Sequence, residues 1–523
     1  MSDKFRNLNA LFLIALINNT TMKWTILVVC LHLCRTNVDC ASGISFARSY
    51  GNHMVLQGAP NRAVLWGFAH KIGDIVHVSL NNHEVTTTTV VAHSHGGSSG
   101  IWKVKLPAQN SKGPFVIHVS SSEGSATISD VLFGDVWFCS GQSNMGFKMN
   151  HVFNYTEELN EAAKYSEIRI FSTNRHTSNT SLTDLSSVNH WYLPNSTSVG
   201  NFSAVCWLYG KYLYPHIHRP IGLIESAWGG TIIEAWSSHD ALAKCTTTGH
   251  RVNRAAQNHP SVLFNAMVSP FLPMTIYGVI WYQGESNSPH ADRYVCQFPA
   301  MIADWRHKFH QASMGETNET FPFGFVQLAG NGNDTNRGFP DLRWAQTANY
   351  GHVPNAQLPN VFMSVAMDLP DFHSPYGSVH PRDKQDVASR LVLAARAVAY
   401  GENGLDFQGP IPTKFTLHGS SLTIEFNQGN SPIEVRSDSG FEMCCTHSTD
   451  PNYQCPTTSG WSVAHMTSHS SSSITLDVTS CTAHGMHIRG VRYAWHEGPC
   501  QVKHCAIYGR DNDLPAPPFK HHV

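Results

Sequence analysis

The stretch VWFCSGQSNM, residues 136–145, decides how the chain reads. Val136, Trp137, Phe138 and Cys139 form a continuous apolar run, the pattern of a strand buried on both faces. Ser140-Gly141-Gln142-Ser143-Asn144 then supplies small and polar residues able to turn the chain at once. Four later stretches repeat the pattern: IGLIESAWGGT (221–231), IYGVIWYQGESN (276–287), FGFVQLAGNGN (323–333) and VFMSVAMDLPD (361–371). Helix-compatible segments lie between them, which predicts a doubly wound α/β domain over 131–405, with a parallel sheet covered on both faces. In such sheets the site lies beyond the carboxyl ends of the strands. After His380-Pro381, the stripe Val387, Leu391, Ala394 and Val398 predicts a closing helix that stops at Gly401.

Outside that block the period changes. Residues 42–130 hold AVLWGF, IVHVSL, VTTTTVVAH and FVIHVS, short strands between turns, and predict an all-β module of sandwich type. FTLHGSSLTIEFN (415–427) and SSSITLDVTS (471–480) predict a second β region over 406–523. Residues 1–41 read as a secretory leader: Met22-Lys23, then WTILVVCLHL, with cleavage near Cys40. Neither this run nor LFLIALI (11–17) reaches the roughly 18 residues of a membrane span. Six sequons follow, at Asn154, Asn179, Asn195, Asn201, Asn318 and Asn333, and are expected to be glycosylated. Of 13 cysteines, three (Cys30, Cys34, Cys40) fall in or beside the leader. The other ten suit disulfides, six of them crowded in the C-terminal region: Cys444, Cys445, Cys455, Cys481, Cys500 and Cys505. These features predict a secretory-route protein, lysosomal or secreted; a start after the leader would give a cytosolic form. Lys and Arg total 35 against 37 Asp and Glu, a net charge of -2, so a nucleic-acid partner is not expected. No H-E-x-x-H, P-loop or helix-opening G-x-G-x-x-G occurs, so no metal or other cofactor is expected.

The strand ends carry the chemistry. Ser143 lies in Gly141-Gln142-Ser143-Asn144-Met145, which departs from a G-x-S-x-G elbow at Met145 but shares its strand–turn context. Two roles are open to it, a nucleophile or a helix cap. Ser140, one step nearer the strand, is its rival. His380 is the candidate base, with a helix N-terminus nearby to keep the ring neutral, and His373 is an alternative. Asp368 and Asp371 could orient it. Gly229-Gly230 can offer backbone N–H groups, and Gln283 an amide N–H, to a developing oxyanion; Glu285 suits an orienting role.

GDVWFCSGQSNM, GLIESAWGGTIIEAW, VIWYQGESN and SVHPRDKQDVASRL, in that order, resemble the blocks of sialate O-acetylesterases, carbohydrate esterases of the SGNH type. NHMVLQ (52–57) with LWG (65–67) resembles that family's N-terminal β module, and VRYAW (491–495) with LPAPPF (514–519) its C-terminal end, so the likeness runs from about 45 to 519. The resemblance implies an SGNH-hydrolase-like sheet flanked by β-rich domains. It implies a serine esterase that removes O-acetyl groups, chiefly at O9, from sialic acids, free or on glycoconjugates. By block, Ser143 matches the nucleophile, His380 the base, and Gly230 and Gln283 the oxyanion hole. One position departs: many SGNH enzymes carry Asp three residues before the His, where this chain has Gly377. Asp368, Asp371 or a backbone carbonyl is left as the partner of His380, with Asp368 favoured as a strand-end residue. Two other readings remain, a deacetylase of another acetylated carbohydrate such as xylan, and a non-catalytic glycan-binding protein.

Overall fold

The computed structural model describes residues 43–93, 100–245, 255–332, 337–426, 431–456 and 459–523. The expected leader and the sequon at Asn333 lie outside the described residues. Among the described residues the central sheet has eleven strands, seven of which form its α/β row and are labelled here in chain order: β1 (Gly124–Gly141), β2 (Ile168–Ser172), β3 (Trp191–Tyr192), β4 (Ile221–Ala227), β5 (Gly278–Tyr282), β6 (Phe323–Gln327) and β7 (Val361–Val365). Their spatial order is β3-β2-β4-β1-β5-β6-β7. All neighbours run parallel except the short edge strand β3. β1 sits between β4 and β5, so chain that leaves its carboxyl end emerges where the connections divide to either side.

Both faces of this sheet are covered, and adjacent residues of β1 point to opposite faces. Trp137 packs edge-on against Tyr209 of helix α1 (Ala204–Ile217), with ring centroids 5.0 Å apart. Phe138 packs against Trp305 and Phe309 of helix α2 (Ala291–Ala312), at 6.0 and 6.1 Å. Both β1 residues are fully buried. The unbroken apolar run is therefore required by burial on two sides. Helix α3 (Gln385–Val398) shares the α1 face and buries Val387, Leu391 and Ala394 of the stripe read from the sequence, while its fourth member, Val398, is half-buried.

β1 is much longer than its neighbours because it belongs to two structures. Its first half pairs with the N-terminal strands Val55–Gln57 and Phe115–Ser121, its second half with β4 and β5. The strand thus runs straight across residues 130 and 131, where composition changes. At the other end, residues 414–522 form further strands around a core of their own, which Val365 and Met367 join from the end of β7.

The ten cysteines of the described residues form five disulfides. Three staple the C-terminal region: Cys444–Cys455, Cys445–Cys481 and Cys500–Cys505. Cys245–Cys296 holds a loop to α2, and Cys139–Cys206 ties β1 to α1 across 67 residues. Among the described residues, no helix is long and apolar enough to cross a membrane. Removal of the Cys139–Cys206 bridge by a double substitution to alanine is expected to lower unfolding free energy by about 2–5 kcal/mol, read as a lower urea midpoint.

Candidate active site

Ser143 stands two residues beyond β1, in a turn fastened to the strands on both sides. The Gln142 N–H donates to the Tyr282 carbonyl of β5 at 2.9 Å, and the Trp228 N–H, just after β4, donates to the Gly141 carbonyl at 3.1 Å. The Gln142 side-chain oxygen accepts from the N–H groups of Gly284 and Ser286, at 3.3 Å each. The Gly146 N–H closes the turn on the Gln142 carbonyl at 2.9 Å. Gly141 has φ of 140°, and a Cβ there would lie 2.1 Å from the Tyr282 oxygen, so only glycine allows the approach. No helix begins here. The next α-helix starts at Tyr155 with Asn154 at its N-cap position, so Ser143 does not have the helix-capping role open to it in the sequence. Ser140 stays on the strand, wholly buried, and its hydroxyl has no hydrogen-bond partner among the described residues.

The His380 Nε2 lies 2.8 Å from the Ser143 hydroxyl oxygen. Its Nδ1 lies 2.8 Å from the backbone carbonyl of Tyr376. A carbonyl only accepts, so Nδ1 carries the proton and Nε2 presents its lone pair to the serine hydroxyl. The Phe147 ring lies nearly parallel to the imidazole, with centroids 6.2 Å apart and an 11° tilt. Burial, opposed by the Tyr376 carbonyl and helped by the nearby Lys384 cation, holds the His380 pKa below its ordinary value. The helix N-terminus invoked from the sequence is not the cause: α3 begins at Gln385, more than a turn beyond His380. His373, the rival base, is exposed on the same loop.

The second strand end comes close to the serine. A Cβ on Gly229 would sit 3.2 Å from the Ser143 Cβ, so the missing side chain leaves room for the Ser143 side chain. Gly230 is left-handed, with φ of 72°, and open space surrounds the place of its absent Cβ. Neither the Ser143 nor the Gly230 N–H has an acceptor among the described residues, so both are available to a developing negative charge. Gln283 is not. It is fully buried, and its two amide hydrogens go to the Thr231 carbonyl at 3.1 Å and the Asn287 side-chain oxygen at 2.7 Å. An amide has two donors, so the expected oxyanion contact is corrected here: Gln283 braces the floor beneath the site.

The chain is 41% identical to mouse sialate O-acetylesterase over 537 residues, covering 94% of this chain and 97% of the mouse protein. It is 43% identical to the human enzyme of the same name over 500 residues, covering 91% and 92%. It belongs to the sialate O-acetylesterase family. The family model described as carbohydrate esterase, sialic acid-specific acetylesterase, matches residues 133–387, and the sialate O-acetylesterase C-terminal domain matches 413–523. A crystal structure of a carbohydrate acetylesterase from Xanthomonas citri superposes with a TM-score of 0.76 at 28% identity, covering 91% of this chain and 99% of that one.

Within this sialate O-acetylesterase scaffold, neither expected carboxylate reaches His380. Asp368 is fully buried and spends both oxygens on the Arg390 guanidinium, at 2.6 and 2.9 Å, with the Tyr508 hydroxyl added at 3.0 Å. It joins the end of β7 to α3 and to the C-terminal region, so its expected role as acid partner is corrected to a structural one. Asp371 pairs with Arg382 at 2.6 and 3.2 Å, and that guanidinium holds its carboxyl below the usual range. Gly377, at the position where many SGNH enzymes carry Asp, is left-handed with φ of 88°, and its carbonyl accepts the His380 N–H at 2.8 Å. The loop thus brings a main-chain oxygen to the imidazole. The sequence leaves a carbonyl open as the partner but does not mark Tyr376, whose contact is made through an atom every residue possesses. Phe147, beside the imidazole, has no distinguishing mark in the sequence either.

Of the sequons, Asn154, Asn179, Asn195, Asn201 and Asn318 are exposed. Asp368→Asn strips charge from a buried pair and is expected to destabilise the fold by about 3–5 kcal/mol in urea unfolding. The turnover of the folded fraction and its pH profile are expected to match those of the wild type.

Proposed function

We propose that this protein is a serine esterase of the SGNH-hydrolase type that releases acetate from O-acetylated sialic acids, free or on glycoconjugates. The observation that carries the reading is the relay from the Ser143 hydroxyl through His380 Nε2 and Nδ1 to the Tyr376 carbonyl, at 2.8 Å for each bond, in a member of this family. O9 is the favoured position, because its ester is primary and stands at the tip of a flexible side chain, where it meets a nucleophile without the sugar ring intervening.

Ser143 attacks the acetyl carbonyl as His380 Nε2 takes the hydroxyl proton. The Tyr376 carbonyl keeps the imidazole oriented and accepts from Nδ1 while the ring is cationic. The N–H groups of Ser143 and Gly230 stabilise the tetrahedral oxyanion. Collapse breaks the bond to the sugar oxygen, which takes the proton from His380 and departs as a hydroxyl, leaving acetyl-Ser143. Water, deprotonated by the same His380, then attacks this ester; His380 returns the proton to the Ser143 oxygen as that bond breaks, and acetate is released. The mechanism is a Ser–His dyad with a main-chain carbonyl in the third place. The disulfides and exposed sequons support a secretory-route protein, lysosomal or secreted.

Ser143→Ala and His380→Ala are each expected to lower acetate release from 9-O-acetylated sialic acid by about 10⁴- to 10⁶-fold, and the double variant by little more. A folded Ser143→Ala protein with wild-type turnover would sink the mechanism. Acetylated xylan assayed alongside tests the other carbohydrate class. A base must be neutral to act, so a depressed His380 pKa keeps it competent further into acid. The acid limb of kcat/KM is therefore expected below the ordinary histidine pKa of 6.5.

A further inference from the structure

Beneath the Ser143–His380 pair lies a buried polar cluster that this mechanism does not use. Asn144 follows the nucleophile in the chain and is 1% exposed. Its amide nitrogen donates to Glu285 Oε1 at 2.5 Å and to the Val379 carbonyl at 2.8 Å. Its amide oxygen accepts from Lys384 Nζ at 2.7 Å, and Lys384 is 0% exposed. Val379 immediately precedes His380, Lys384 follows it by four residues, and Glu285 stands beyond β5. One side chain therefore bonds to both flanks of the base and to the third strand end, starting from the residue beside the nucleophile. Glu285 Oε2 is buried without a hydrogen-bond partner among the described residues. The Lys384 ammonium lies 5.1 Å from the centroid of Phe147, the ring that is parallel to His380, and 5.2 Å from that of Tyr282.

We propose that Asn144, Lys384 and Glu285 form a positioning network that holds the Ser143 turn and the His380 loop at hydrogen-bonding distance, with the Lys384 charge acting on the imidazole. The proposal rests on the reading of Ser143 and His380 as nucleophile and base. A buried lysine is costly and is a poor choice for stability alone. Its placement in the approach to an α-helix, where the helix dipole disfavours a cation, adds to that cost. Both charges are strained: burial draws the Lys384 pKa down to about 7 and raises that of Glu285. The charged groups that face Lys384 are Glu285, Asp383 and Asp371, and the Lys384 charge itself disfavours protonation of His380. Removing that charge therefore raises the His380 pKa.

The test uses the full chain, with each variant checked for folding by circular dichroism. Asn144→Ala is expected to lower kcat about 100-fold, the scale of a small misplacement of reacting groups, with KM within about twofold. Glu285→Gln keeps an acceptor for Asn144 and is expected to retain most of the kcat that Glu285→Ala loses. Lys384→Met is expected to move the acid limb of kcat/KM to higher pH. The His380 imidazole, followed by ¹⁵N-histidine NMR and assigned with His380→Asn, is expected to titrate higher in the same variant. That titration needs no turnover, so it judges the network even if Ser143→Ala overturns the catalytic reading. If Asn144→Ala does not fold, Glu285→Ala and Lys384→Met carry the test. Wild-type kcat in the folded variants, together with an unshifted His380 titration in Lys384→Met, would overturn the proposal.

Discussion

The structure depends on β1 being buried on both faces along its second half and then stopping within one residue. Trp137 and Phe138 are packed from opposite sides by α1 and α2, so this part of the strand cannot slide or tilt without opening one of the two layers. Gly141 then turns the chain against the Tyr282 carbonyl at a spacing no side chain tolerates. Ser143 inherits its position from this rigidity. The disulfide Cys139–Cys206 adds a covalent tie at the same height of the strand.

His380 is held by a softer device, a loop closed on itself. Its N–H donates to the Gly377 carbonyl and its own carbonyl accepts from the Ser374 hydroxyl at 2.7 Å. Within that loop the ring finds the Tyr376 carbonyl on one side and Ser143 on the other. A neutral carbonyl orients the imidazole without the strong charge stabilisation that a carboxylate would give to the imidazolium. Together with burial and the nearby Lys384, this favours the neutral form of the His380 imidazole. The carboxylates of the same loop are bound elsewhere, Asp368 to Arg390 and Asp371 to Arg382, and they hold β7, α3 and the loop together.

The strands of the central sheet and the α3 stripe were legible because burial imposes a period on the sequence. Two apolar faces demand an unbroken run, as in Val136–Cys139, and one face demands a stripe, as in Val387, Leu391 and Ala394. The approach of Ser143 and His380, 237 positions apart, was suggested only by their shared place at strand ends and by the block resemblance. Lys384 carried a signal in retrospect, a cation just ahead of a helix N-terminus, where a carboxylate is the favourable choice.

What the sequence by itself determined is the set of elements and the residue types delivered to the strand ends, since these follow from periodicity and from turn chemistry. What only the tertiary structure decided is which partner each group took. Asp368, Asp371 and the Tyr376 carbonyl were all near His380 in the chain, and Gln283 was a chemically suitable donor. Selection among them turned on competition for partners: Arg390, Arg382, Thr231 and Asn287 claimed the side chains first. That competition is settled by the three-dimensional arrangement of the partners, and linear spacing carries no record of it.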